Sequence, residues 1–178
     1  MNGSKVSLRA LEPDDVEVLY KWENDRAIWH LSNTITPLSR FTLEQYVLSA
    51  GQDIYATRQM RMMVDLNEPE HGIKTIGSVD LFEFEPAHRR AGVGILIHDG
   101  FRGKGFASEA LDLLINYAFE TLQLHQLFTN ISKTNEDSVR LFDIKGFQLI
   151  GTKKEWNRIR NNWEDENMYQ LINHTGNH

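Results

Sequence analysis

Residues 100–111, GFRGKGFASEAL, set three glycines and two cations between an apolar run and the start of a helix. No other stretch constrains the fold as tightly. Ahead of it, AGVGILI (91–97) is a short apolar run bounded by His98, Asp99 and Gly100. That pattern suits a central strand buried on both faces, and the run is too short for a buried helix. After it, Phe106, Ala107, Ala110, Leu111, Leu114, Tyr117, Ala118 and Leu122 recur at spacings of three and four, which predicts a long amphipathic helix. A strand that turns into a helix through glycines brings free helix amides to the turn, where an anion can approach bare main chain. The same glycines serve as a plain tight turn, with Arg102 and Lys104 as solvated charges. On the residues alone, both readings stand.

The identity of such an anion is narrowed by what the turn lacks. A nucleoside-triphosphate loop needs Lys and then Ser or Thr after its last glycine, but Gly105 is followed by Phe106. A dinucleotide fingerprint counted from Gly103 meets Ser108 where a small apolar residue belongs, and one counted from Gly92 meets Ile97. A pyrophosphate held by main-chain amides remains compatible.

The rest of the chain supplies the frame. Residues 5–11 alternate as a strand, and Glu12-Pro13-Asp14-Asp15 opens a helix with Val16, Leu19, Tyr20 and Trp22 on one face. A second helical piece is predicted over 42–49, after a loop over 30–40. Residues 61–66 and 73–84 predict an antiparallel hairpin about a turn-rich NEPEHG. QLFTNIS (126–132) reads as a strand and DSVRLFDIKG as a helix ended by Gly146, with last strands over 147–156 and 166–172. No linker, repeat or low-complexity segment interrupts the 178 residues, so one domain spanning 1–178 is expected. A net charge of −6 disfavours a general nucleic-acid binder. The absence of cysteine excludes disulfides and thiolate chemistry, and the seven histidines show no metal-ligand spacing with the acids, so no metal is expected. Neither a leader-like apolar segment nor a run of about 18 apolar residues is present, so no membrane association is expected and the cytoplasm is the expected compartment.

Arg102-Gly103-Lys104-Gly105-Phe106-Ala107 matches the R/Q-x-x-G-x-G/A motif of the GNAT acetyltransferases, and the string from Gly94 to Phe147 resembles that superfamily's acetyl-coenzyme A half. A second block, Asn135 to Phe147 (NEDSVRLFDIKGF), is similar to the family's N-x-x-S-x-x-L-Y-x-x-x-G-F helix and lies at the usual distance downstream. SLRALEPDD, GKGFASEAL and YAFETL followed by LHQLF most resemble the spermidine and ribosomal-protein N-acetyltransferases. The resemblance implies an α+β (mixed α/β) GNAT fold: a mostly antiparallel sheet of six or seven strands, splayed between strands 4 and 5 and flanked by about four helices. It also implies direct transfer of acetyl from acetyl-coenzyme A to a primary amine of a small molecule, a polyamine among the candidates. Acetylation of a protein N-terminus and a non-catalytic acetyl-coenzyme A sensor are the alternatives, and a homo-oligomer is compatible.

Carried over residue by residue, the resemblance gives Arg102, Gly103, Lys104, Gly105, Phe106, Ala107 and Ser108 to the pyrophosphate. Ile95, Leu96 and Ile97 would offer strand backbone to the pantetheine arm, the amide of Ile95 or Leu96 polarising the carbonyl. Asn135, Ser138 and Phe142 complete the cofactor set, although an asparagine before a helix is also an ordinary cap. Two departures bear on chemistry. Phe142 stands where related enzymes carry a tyrosine acid, and Gly92 where several carry a glutamate base. The remaining candidates for catalysis are Asp80 and Glu83, which alternate to opposite faces of their strand unless a bulge intervenes. Trp29, His30, Trp163 and Glu83 are the candidates for the acceptor cleft, and His88 and His98 read as surface histidines. Ile35-Thr36 precede Pro37 where spermidine acetyltransferases carry an acidic pair.

Overall fold

The computed structural model describes residues 1–25, 29, 36–159 and 161–174. Seven strands are β1 (Val6–Ala10), β2 (Met60–Glu70), β3 (Ile73–Glu85), β4 (Arg90–Ile97), β5 (Gln126–Ser132), β6 (Gln148–Ile159) and β7 (Asn162–Ile172). They form one sheet in the order β1-β2-β3-β4-β5-β7-β6. Its neighbouring strands run antiparallel except β4 and β5, which pair in parallel. The α-helices among the described residues include α1 (Val16–Glu23), α2 (Arg40–Ser49), α3 (Ile54–Thr57), α4 (Phe106–Asn116), which a π-helical turn (Tyr117–Thr121) continues, and α5 (Glu136–Ile144). This is the expected mixed α/β architecture.

Alternation along β2 divides the packing into two layers. Met62, Val64 and Leu66 enter the larger core with Phe106, Ala110, Leu111 and Leu114 of α4. Met63, between them, turns to the other face and meets Leu19 and Trp22 of α1 and Leu43 and Val47 of α2. The sheet is therefore covered by α4 on one side and by α1 and α2 on the other. The amphipathic pattern over 106–118 is the one that builds the larger core, since Ala110, Leu111, Leu114 and Ala118 are all fully buried.

Several elements differ from the sequence reading. NEPEHG is not a loop: β2 runs through Glu70, and only His71 and Gly72, both at positive φ, make the turn. Two residues at positive φ give the tight hairpin connection that matches the twist of the strands. The helix predicted from Thr42 begins at Arg40, because Ser39 caps it by accepting from the Thr42 amide at 3.1 Å. The single turn α3, capped by Asp53, was not anticipated; four residues are too few to show a period. The last two strands are longer than read, because their outer parts form an exposed polar hairpin with no buried face to impose alternation. The predicted end at Gly146 is met in detail. Gly146 takes φ 85°, its amide donates to the Asp143 carbonyl at 3.0 Å, and Phe147 N–H donates to the Phe142 carbonyl at 3.1 Å. Among the described residues, no helix is long and apolar enough to cross a membrane.

Candidate active site

The site begins where β4 leaves its parallel neighbour. β4 and β5 pair at Arg90↔Gln126, Ala91↔Leu127 and Gly92↔Phe128, and among the described residues no β5 partner continues the ladder past Gly92. The strands part there, so the β5-facing main-chain groups in the outer half of β4 have no strand neighbour. On its other edge β4 stays paired with β3 through Ile95↔Val79, Leu96↔Ser78 and Ile97↔Gly77. Ile97 is buried in the larger core, and Ile95 packs against it half-buried. These aliphatics thus combine core side chains with backbone facing the gap.

The glycine turn closes the far end of β4. Gly103 and Gly105 take φ 74° and 85°, the left-handed region that side-chained residues avoid, and Gly105 is the N-cap of α4. Nothing lies within 4 Å of a Cβ placed on Gly103, so the space over the turn is open. The amides of Phe106, Ala107 and Ser108 fall in the first helical turn and have no intrahelical acceptor. A concave run of amides at the positive end of a helix fits a diphosphate.

The cations of the motif are less free than their sequence suggests. Arg102 Nε donates to the Ile97 carbonyl at 2.9 Å, and its guanidinium pairs with Asp99 at 2.8 Å. Lys104 Nζ pairs with Glu70 at 2.6 Å and lies over the Phe101 ring. Phe106 turns its ring into the core, so its contribution at the turn is its amide. A residue that the motif does not contain reaches the same place: Lys5 Nζ donates to the Lys104 carbonyl at 3.4 Å. No signal in the sequence links Lys5 to this turn.

In the second block, Asn135 caps α5 by accepting from the Ser138 amide at 3.2 Å. Ser138 is half-buried at that first turn. Phe142 is 3% exposed and meets Phe147 edge-on with ring centroids 5.0 Å apart. Its ring is core packing, and it has no proton to give.

The face of β3 and β4 beneath α1 carries the ionisable groups. Asp80 pairs across to Gly94, and its carboxylate lies beside that glycine, with Oδ2 3.7 Å from the Cβ position, an ordinary contact distance. Arg61 on β2 donates Nε to Asp80 at 2.6 Å and a second nitrogen to Glu23 of α1 at 2.7 Å. The Arg61 guanidinium also sits 5.6 Å from the centroid of the Tyr46 ring on α2. Burial pushes the Asp80 carboxyl above its usual range, and this outweighs the opposing pull of Arg61. Burial likewise raises the Tyr46 phenol, which stays protonated and neutral near pH 7. Arg61 and Glu23 were not singled out in the sequence, because their meeting depends on strand register.

The other candidates are dispersed. A bulge does intervene between Phe82 and Glu85, and Glu83 sits in it at φ 47°, exposed. Asp80 and Glu83 are therefore not arranged by simple alternation. Trp29 donates Nε1 to the Glu23 carbonyl at 2.8 Å, while Trp163 is 60% exposed on the outer hairpin opposite Arg158. His88 is exposed in a short turn over 86–88, and His98 stacks on Trp22 with centroids 6.4 Å apart. His30 and Ile35 lie outside the described residues. At Gly92 the missing side chain is replaced in space by Phe82, whose ring carbons approach a Cβ position to 2.3 Å. A glutamate at 92 would displace that ring, so Gly92 belongs to a filled position and not to an empty socket for a base.

Residues 5–148 match the family described as the acetyltransferase (GNAT) domain. A spermidine N(1)-acetyltransferase of Vibrio cholerae is 28% identical over 170 residues, covering 95% of this chain and 94% of its own. A Bacillus subtilis protein that carries the name "Putative ribosomal N-acetyltransferase YdaF" is 28% identical over 175 residues, covering 94% of this chain and 91% of its own. Among solved structures, the Vibrio cholerae spermidine N-acetyltransferase in complex with CoA and spermine superposes with a TM-score of 0.84 at 26% identity, covering 96% of each chain.

Proposed function

The chain belongs to the GNAT acetyltransferase family, whose members are N-acetyltransferases using acetyl-coenzyme A, and from that premise we propose that it acetylates a primary amine of a small polycationic molecule, a polyamine foremost, in a ternary complex. The observation that carries the reading is the Glu23–Arg61–Asp80 cluster, two acids sharing one guanidinium on the strand face where β4 leaves β5. With all three groups ionised its net charge is negative, which draws an ammonium toward the point where the thioester would lie. The named activity of the Vibrio cholerae relative supports the same substrate class.

Bound acetyl-coenzyme A supplies an activated acyl carbon and a thiolate that leaves readily near pH 8. The turn 102–108 holds the diphosphate end, and the unpaired edge of β4 receives the pantetheine arm and directs an amide of Ile95 or Leu96 at the carbonyl oxygen. The amine must lose a proton before it attacks, and in this reading Asp80 takes it, directly or through one water. Its raised affinity for protons makes it a better base than an exposed aspartate. Arg61 fixes the carboxylate and releases part of its hold as the proton arrives.

The test is thiol release from acetyl-coenzyme A with spermidine, a single-amine control and an N-terminal peptide as acceptors. Turnover with spermidine above both others is expected; turnover with the peptide alone would replace the reading by protein N-terminal acetylation. Asp80→Asn is expected to lower kcat about 100-fold, the usual contribution of a positioned base. Because Asp80 works when deprotonated and burial raises its pKa, wild-type kcat should rise with pH through an acid limb above the ordinary aspartate range. That limb should vanish in Asp80→Asn.

A further inference from the structure

We propose that Lys5 is a cofactor-binding residue, an ammonium that meets the diphosphate of coenzyme A from outside the glycine motif; this rests on the reading of the turn 102–108 as the diphosphate cradle. The electrostatics of the turn call for such a group. Arg102 is paired with Asp99 and Lys104 with Glu70, so neither motif cation brings an uncompensated charge. A protein of net charge −6 must nevertheless receive a polyanion here. Lys5 Nζ lies 3.4 Å from the Lys104 carbonyl and 3.5 Å from the Cβ position of Gly105, the N-cap of α4. Among the described residues no carboxylate forms an ion pair with it. One ammonium proton serves the Lys104 carbonyl and two remain to donate.

The backbone under Lys5 is fixed to the head of α4 by a contact 104 residues distant in sequence. Glu109, in the first turn of α4, accepts from the Lys5 amide at 3.1 Å and also from the Ser4 amide. Gly3 permits this approach, since a Cβ there would fall 2.3 Å from Glu109 Oε1. Asn67 ties the same segment from the other side, its amide donating to the Lys5 carbonyl and its Nδ2 to the Gly3 carbonyl, each at 2.9 Å. The arrangement has two electrostatic consequences. It occupies the Glu109 carboxylate, whose charge would otherwise repel a diphosphate at the same helix end, and it holds a lysine whose side chain need not search for the turn.

The test is calorimetric titration of CoA, dephospho-CoA and pantetheine into wild type, Lys5→Gln and Lys5→Arg at two salt concentrations. In Lys5→Gln, affinity for CoA and for dephospho-CoA should both fall roughly fivefold to tenfold, the size of one charge-assisted contact near solvent. The salt dependence should flatten, pantetheine affinity should stay unchanged, and Lys5→Arg should restore binding. Steady-state kinetics should show a raised KM for acetyl-coenzyme A with kcat preserved, and an unchanged melting temperature separates this from a folding defect. If Lys5→Gln binds CoA as the wild type does, the role of Lys5 is overturned while the cradle stands. If dephospho-CoA alone is insensitive, the partner of Lys5 is the 3′-phosphate and the assignment to the diphosphate is overturned. If wild type binds no CoA, both the cradle and Lys5 fall.

Discussion

Gly105→Val is expected to weaken CoA binding at least about 100-fold while the protein stays folded. The residue holds φ 85° at the N-cap of α4, a conformation that a β-branched side chain adopts only with strain. That strain is about 1–3 kcal/mol if the turn keeps its shape. The chain instead relaxes toward φ below zero, which redirects the amides of 105–108 away from a common point and removes several charge-assisted hydrogen bonds to the diphosphate together. The added methyls also enter the space 3.5 Å from Lys5 Nζ. The kinetic signature is a rise in KM for acetyl-coenzyme A with kcat at saturation reduced far less, since the β4 edge and Asp80 are untouched. Gly103→Val separates the causes, because it meets nothing within 4 Å and carries the conformational penalty alone. Calorimetry on both variants, with far-UV circular dichroism to confirm folding, decides the matter, and undiminished CoA affinity in Gly105→Val would sink it.

Arg9→Ala is expected to cost about 3 kcal/mol of stability at pH 7, the scale for stripping the partner from a buried charge. Arg9 on β1 donates two nitrogens to Asp15 at 2.7 Å each, Nε to Asp65 at 2.9 Å and a further hydrogen bond to Thr75 at 3.2 Å. One side chain thereby joins β1, the turn into α1, β2 and β3. Asp65 is 1% exposed and Asp15 is 5% exposed, so removing the guanidinium leaves buried carboxylates to find new partners. Lys74 Nζ, 3.4 Å from Asp65, offers partial compensation. Arg9→Lys should recover less than half of the loss, because an ammonium cannot reproduce the two-pronged contact with Asp15.

The pH dependence of that loss has a definite sign. Burial works against ionisation of Asp65, but hydrogen bonds from Arg9 and Thr75 and the charge of Arg9 outweigh it and hold the carboxyl below its usual value of 3.8. A carboxyl depressed in the folded state contributes stability that is complete above the unfolded value and disappears as pH falls through the folded one. The gap between wild type and Arg9→Ala in urea midpoints should therefore be full at pH 6–8 and shrink below about pH 4. A gap that widened in acid would contradict the assignment.

How much of this was legible in the chain follows from which interactions are local. The turn ahead of α4 was readable because positive φ favours glycine, and Gly103 and Gly105, one residue apart, announce it within three residues. The helix behind it was readable because its buried face repeats over three turns. Asp80 could be named from the strand, but its partner could not. The Arg61–Asp80 contact requires the β2–β3 register, and a one-residue slip would send one of them to the opposite face. The setting of Glu83 was hidden for a related reason: it sits at φ 47° in a bulge, and glutamate carries no sequence signature for that conformation. Gly92 and Phe142 were read through what relatives carry at those positions. The fold shows instead a ring from Phe82 over the first and a core ring at the second. Lys5 and Glu109 lie at opposite ends of a long sequence separation, and only the packing of α4 against β1 brings them together.

The most direct measurement is a titration of CoA into isotopically labelled protein, followed by amide chemical shifts. Binding at the glycine turn predicts the largest shifts at the amides of 103–108 and along the free edge of β4 over 94–97, with the outer hairpin of β6 and β7 unmoved. CoA that bound while leaving 103–108 unshifted would place the diphosphate elsewhere and contradict the account.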